Sequence, residues 1–180
     1  NSKSNPVPSK QTHNALLEVL WTIVPVIILV VMVIPSFRLL YRSDVVPNAE
    51  RVAEMYGIQV DGEMTVKAIG FQWAWQYDYP DHGVEGMIAL CAAGPTTYCQ
   101  AEAGPGDHRL LETDNRMVVP VNTLVRMQIT SQDVIHAWAV PAFGVKLDAV
   151  PGLINETWFV ATREGVFYGQ CSELCGVYHG

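Results

Sequence analysis

Basic residues are scarce in this 180-residue chain, with 11 Lys and Arg against 18 Asp and Glu. The shortage deepens along the chain: after position 43, 17 acidic residues face 7 basic ones, a net charge of −10. A field of that sign repels nucleic acid and favours a basic partner. No internal repeat is present. No second cysteine pair with the spacing of a structural zinc site exists either, since Cys91 and Cys99 stand far apart in a Gly/Pro/Thr-rich loop. Charge is missing altogether between Glu18 and Arg38.

That charge-free run, VLWTIVPVIILVVMVIPSF, approaches the ~20 residues needed to cross a hydrocarbon core. It shows no polar stripe at helical period, which a buried soluble helix would carry. It lacks the cleavage signal of a secretory leader. Pro25 inside it is better tolerated in lipid than in water. The sequence therefore predicts a transmembrane helix over 17–41, with a preceding loop at 1–16. Lys3 and Lys10 before the span balance Arg38 and Arg42 after it, so positive-charge counting leaves its orientation open.

Beyond a linker at 42–62 the texture turns to β. Short β-branched and aromatic runs at Met64–Phe71, Arg116–Val121, Leu124–Thr130, Val134–Val140, Thr157–Ala161 and Val166–Gln170 alternate with Pro, Gly, Asn and Asp. They predict a β-sandwich or barrel over 63–180 with no competing amphipathic helix. The stretch from Glu85 to Arg109 reads as a long loop. Cys91 and Cys99 within it can close a disulfide if that side of the membrane is oxidising, or stand as two unrelated free thiols.

The ligand chemistry is concentrated at the end of the chain, where Cys171-Ser172-Glu173-Leu174-Cys175-Gly176-Val177-Tyr178-His179 offers two thiols and an imidazole. Soft sulfur with borderline nitrogen suits copper, zinc or an iron–sulfur cluster. Two thiolates on one loop fit a bridged pair of copper ions better than a single blue copper. A helix bearing i, i+4, i+8 core cysteines is disfavoured by Gly169, Gly176 and Gly180. Another imidazole must come from elsewhere, and His136, in the strand-like Asp133–Trp138, is the best placed. His13 precedes the span, while His82 and His108 sit in or near the loose loop.

Gly169–Gly176 with His179 resembles the copper-binding signature of cytochrome c oxidase subunit II. So do Asp133–Trp138, Val140–Lys146 and Phe71-Gln72-Trp73-Ala74-Trp75, while Glu18 and Trp21–Pro25 resemble that family's second transmembrane helix. The resemblance implies a cupredoxin-like Greek-key β-domain behind one membrane helix. It implies side-chain copper ligation by His136, Cys171, Cys175 and His179, with Glu173 giving its carbonyl to a binuclear copper centre and its carboxylate to magnesium shared with subunit I. It also implies that Trp73 receives electrons from cytochrome c. Asp78, Asp114 and Asp133 are then cytochrome c docking carboxylates, and Glu18 the mouth of a proton path into subunit I.

These roles describe the electron-receiving subunit of a haem–copper oxidase embedded in membrane lipid. Its copper domain is expected in the periplasm of a bacterial inner membrane, or in the intermembrane space of mitochondria. Two rivals share the fold. A nitrous-oxide-reductase copper domain is disfavoured by the membrane span, and a copper-free quinol-oxidase subunit by the intact Cys and His set. The chain departs from the family pattern at Leu153, where an arginine is usual after Pro-Gly. It also stops at Gly180, short of the family's axial methionine, and starts after the first family helix, as a partial sequence does.

Overall fold

A computed structural model describes residues 10–89, 108, 110–176 and 179–180. The described chain divides into two units, one ending at Arg42 and one spanning Ser43–Gly180.

The first unit is built on α1 (Ala15–Asp44), a 30-residue helix with no buried residue. It is long and apolar enough to cross a membrane. At 1.5 Å per residue it is about 45 Å long, more than a hydrocarbon core needs. Its start is capped reciprocally: Asn14 Oδ1 accepts from Leu17 N at 3.2 Å, and Glu18 Oε1 accepts from Asn14 N at 3.0 Å. This satisfies amides that have no partner inside the helix. Pro25 and Pro35 both lie within it.

The second unit opens with a short helix where only a linker was expected. In α2 (Ala49–Tyr56), Asn48 Oδ1 caps Arg51 N at 2.9 Å, and Gly57 ends the helix at φ 63°. The helix packs on strand β4 (Thr123–Ser131), and its Val52 is buried. Eight residues with one buried apolar anchor leave too weak a period to stand out in sequence.

The main sheet has the order β3-β2-β1-β4-β7. Its other members are β1 (Gly62–Phe71), β2 (Ala74–Tyr79), β3 (Val84–Ala89) and β7 (Asn155–Val160), and β1 pairs with β4 in parallel. A smaller antiparallel pair, β5 (His136–Val140) and β6 (Val145–Ala149), closes through a 3₁₀ turn at Pro141–Phe143, with Gly144 at φ 66°. Alternation puts Val66 and Ala68 of β1 and Val125, Met127 and Ile129 of β4 into the core. They share it with Trp138 of β5 and Phe159 of β7. All five residues of β5 are buried, so this strand runs through the interior with His136 at its leading end.

Several sequence expectations need correction. Val84–Ala89 is a strand, so β3 takes the opening of the expected 85–109 loop; Cys91 and Cys99 lie outside the described residues. Among the described residues, Arg116–Val121 and Val166–Gln170 join no ladder. Strand-forming composition makes a ladder only where a neighbour supplies N–H and C=O groups in register. Among the described residues those segments find isolated ties instead, such as Val118 N to the Tyr79 hydroxyl and Gln170 N to Ala139 O. A cavity of about 670 Å³ is lined by both segments, with Trp138 and Phe143 on its wall.

Candidate metal centre

The leading end of β5 and the closing loop bring four donor side chains to one point. His136 Nδ1, Cys171 Sγ, Cys175 Sγ and His179 donate from atoms that all lie within 4.8 Å of one another. The two sulfurs are 3.5 Å apart, Cys175 Sγ is 3.2 Å from His179 Nδ1, and the two Nδ1 atoms face each other at 3.1 Å. Both cysteines are buried free thiols, and His136 is fully enclosed.

The fold sets each donor by a separate contact. The ligand limb is held on β5 by Gln170 N to Ala139 O at 3.2 Å and Ser172 N to Ala137 O at 3.1 Å. Ala137 N points at Cys171 Sγ across 3.5 Å. Trp75 of β2 stacks on the His179 ring at 5.3 Å and meets His136 edge-on at 5.9 Å. His136 Nε2 pairs with Asp133 Oδ1 at 2.8 Å. A carboxylate there makes Nε2 the protonated nitrogen and leaves the Nδ1 lone pair facing the cluster.

Asp133 thus supports the cluster from the surface. Its other oxygen accepts from Gln72 N at 2.7 Å, and its pKa is lowered. Burial alone would raise that pKa, but hydrogen bonds from His136, Gln72 and Val134 outweigh it. Gln72 Nε2 and Trp73 Nε1 both donate to Cys175 O, at 2.8 and 2.9 Å. A two-residue lip from the β1–β2 turn therefore grips the backbone of a thiol donor. Gly176 is required beside it: its φ is 135°, and a Cβ there would run into the Trp73 indole.

Burial makes charge costly in this pocket. The Cys175 thiol is pushed up to about 12, by desolvation first and then by Cys171. Burial and then His136 hold the His179 imidazole down at about 4, with the Ala74 backbone and Asp133 opposing. His179 is therefore neutral at neutral pH, the form in which imidazole ligates. Its Nε2 is buried with no hydrogen bond of regular geometry. Two thiols beside two imidazoles are the donor set of a soft or borderline metal. The residues present fit copper.

Other sequence-predicted residues fall as follows. Glu173 is exposed; its carbonyl stands 3.7 Å from Cys171 Sγ, and its carboxylate accepts from Leu174 N. Asp78 is buried and holds Gln76 Nε2 and Gly86 N, so its carboxylate serves the β2–β3 connection. Asp114 is exposed and accepts from Asn115 N. Glu18 lies in the other unit, in the helix cap described above. Gln72 and Trp75 escaped sequence reasoning, because nothing in a β-turn composition says which loop it will touch. For Asp133 the signal was present, as a carboxylate three residues before a ligand histidine.

Comparison with known proteins adds a second line of observation. Residues 64–180 match the family model for the periplasmic domain of cytochrome c oxidase subunit II, and residues 1–39 match that for its transmembrane domain. A probable cytochrome c oxidase subunit 2 of Rickettsia bellii is 44% identical over 180 residues, covering 100% of this chain and 60% of its own length. The Triticum aestivum subunit 2 is 46% identical over 181 residues, covering 99% and 64%. The chain thus spans less than two thirds of those relatives. Among solved structures, the periplasmic domain of subunit II of cytochrome oxidase (CoxB) of Bradyrhizobium japonicum superposes with TM-score 0.57. It is 48% identical and covers 75% of this chain and 80% of its own. A mixed disulfide intermediate between a thioredoxin-like protein and subunit II of cytochrome c oxidase matches at TM-score 0.51. It is 50% identical, covering 68% and 78%.

Proposed function

This chain belongs to the cytochrome c oxidase subunit II family, and from that premise we propose that it receives electrons from cytochrome c and hands them to haem in subunit I. Its β-domain is cupredoxin-like and its helix a membrane anchor. The observation that carries the reading is the convergence of His136, Cys171, Cys175 and His179 within 4.8 Å, with the far nitrogen of His136 locked by Asp133.

Those four side chains would hold a pair of copper ions, with the Glu173 carbonyl turned toward the same point. Copper held there would supply reversible one-electron chemistry. The chain's own residues supply geometry. Asp133 orients His136, Trp75 backs both imidazoles, and burial keeps water from the sulfurs. In this reading Trp73 receives the electrons, and the bond from its indole N–H to the carbonyl of Cys175 supports that role. The exposed Glu173 carboxylate, with one oxygen on Leu174 N, would offer its other oxygen to a magnesium ion at the boundary with subunit I, because hard oxygen suits that metal.

The acidic surface draws the basic face of cytochrome c, in which we assign Asp114 a docking role. Asp78, though buried, and Asp133, though bonded to His136 and Gln72, still add to that field. Subunit I and other oxidase subunits are the partners, and membrane lipid surrounds α1. Glu18 remains our candidate for the mouth of a proton path, beside its capping role. The β-domain would face the periplasm of a bacterial inner membrane, or the intermembrane space in mitochondria. Loading needs both thiols reduced, and the mixed disulfide of the relative fits a thioredoxin-like reductant acting on this loop before the metal arrives.

The test is copper reconstitution of the purified chain. Two coppers per chain are expected, with the spin-resonance pattern of one electron shared by two copper nuclei; an isolated-copper pattern, or zinc alone, would overturn the reading. Trp73→Phe should slow reduction by cytochrome c at least tenfold while leaving that spectrum intact, because Gln72 still holds the Cys175 carbonyl. A lost spectrum would make Trp73 structural instead.

A further inference from the structure

Outside the metal centre, one buried carboxylate is engaged on all sides and serves none of the roles above. Glu112 is 8% exposed. Its Oε1 accepts from the Tyr168 hydroxyl at 2.7 Å, and its Oε2 from Arg116 Nη2 at 2.7 Å. Its own N–H donates to His108 O at 3.0 Å, and the His108 ring meets the Tyr168 ring edge-on at 5.0 Å. Tyr168 and Arg116 thus clamp the carboxylate through both oxygens, while His108 braces the Glu112 backbone and the Tyr168 ring.

The clamp closes on the limb that carries the first thiol. Tyr168 stands three residues before Cys171, in the extended stretch after β7. Among the backbone hydrogen bonds of the described residues, that stretch is tied by Gln170 N to Ala139 O, and the loop beyond it by Ser172 N to Ala137 O. Two backbone bonds run the limb along β5, beside the cavity it lines. Side chains on the limb add ties in two further directions. Phe167 packs on Phe143 at 4.9 Å, and Tyr168 reaches the Glu112 carboxylate. A hydrogen bond to an ionised carboxylate is among the stronger ties available to a neutral hydroxyl.

We propose that Glu112 is a positioning residue for the metal loop: its carboxylate, held by Arg116, anchors Tyr168 and thereby fixes where Cys171 presents its sulfur. This deepens the copper-site reading and rests on it for the identity of the metal, though the positioning of the thiol can be measured without metal. Residues that orient metal ligands from behind are worth about 10–100-fold in metal affinity, and local opening of such a limb exposes what it covers.

The experiment uses the full chain in detergent, as wild type, Glu112→Ala, Glu112→Gln, Tyr168→Phe and the Glu112→Ala/Tyr168→Phe double variant. The first readout is the rate at which the metal-free, reduced protein is alkylated at Cys171 and Cys175. The second is the rate at which copper-loaded protein gives up copper to a chelator. Glu112→Ala and Tyr168→Phe are each expected to raise both rates about tenfold. The double variant should be no faster than either single one, since both remove the same tie. Glu112→Gln keeps an acceptor for the tyrosine and should fall between.

Wild-type rates in Glu112→Ala would overturn the proposal, as would effects that multiply in the double variant. So would a lowered unfolding temperature with unchanged thiol reactivity, because that marks a purely structural carboxylate. Should Glu112→Ala fail to fold, Tyr168→Phe, which removes a single hydroxyl, decides alone. If wild-type protein binds no copper, the copper-site reading fails, while the alkylation rates still decide the role of Glu112.

Discussion

Asp133 uses both carboxylate oxygens, one on His136 Nε2 and one on Gln72 N, and so joins a metal donor to the lip that carries Trp73. Removing it frees His136 to rotate and to exchange tautomers. Asp133→Ala should weaken copper binding about 10–100-fold in a chelator competition; unchanged affinity would mean that Trp75 packing alone holds the ring. Glu112 gives a pH signature of its own. Hydrogen bonds from Tyr168 and then Arg116 hold its carboxyl below the usual range, with the His108 backbone adding to them. A lowered folded pKa means the unfolded chain binds that proton more readily. Its stabilising contribution is therefore fully present above about pH 4.3, the ordinary glutamate value, and is lost as pH falls through the folded pKa. In thermal unfolding followed against pH, the advantage of wild type over Glu112→Gln should be flat near neutrality and shrink on acidification. An advantage that grows on the acid side would contradict the assignment.

At the scale of elements, the decisive contact is between β5 and the extended limb 166–170. Gly169 lies so close to Ala139 O that a Cβ would collide with it. Gly169→Ala must push the limb off β5, with an overpacking cost of about 1–3 kcal/mol. The expected result is a lower unfolding midpoint together with reduced copper occupancy, read by denaturant titration and metal analysis. Full occupancy in the variant would show that the limb tolerates displacement. The same limb shows why sequence reading stumbled on elements. Val166–Gln170 and Arg116–Val121 have strand composition yet find no ladder, while β3 and the short α2 carry patterns too brief or too polar to stand out. A ladder depends on a neighbour that may be far away in sequence, so composition alone cannot certify it.

For the whole molecule, the relevant quantity is the −10 charge beyond position 43. Opposite fields accelerate encounter with a basic redox partner and are screened by salt over about 8–10 Å at moderate ionic strength. Reduction of the copper-loaded chain by cytochrome c should therefore slow steeply as salt is raised, in stopped-flow measurements under second-order conditions. A rate indifferent to salt would remove the charge from the docking account. The membrane helix and the β-domain form separate units, and each does its part by its own physics. The helix exposes apolar side chains all round, and the β-domain encloses a polar cluster that no water reaches freely.

Local information determined a good part of this protein. The charge-free run from Val19 to Phe37 specified a membrane-length helix, because hydrophobic length is a property of consecutive residues. The Cys171–His179 spacing likewise announced a soft-metal loop, and strand composition announced a β-domain. Only the tertiary structure decided what faces that loop. Gln72 and Cys175 are separated by 103 positions, Gln72 and Asp133 by 61, and His136 and His179 by 43. Contacts of that range depend on sheet order and register, above all the parallel pairing of β1 with β4 and the burial of β5. For the same reason Asp78, which looks like a surface acid in the sequence, proves to be buried, and the exposed Asp133 proves to be bonded to His136 and Gln72. A side chain's neighbours are set by the fold's long-range pairing, and its own residue type carries no record of them.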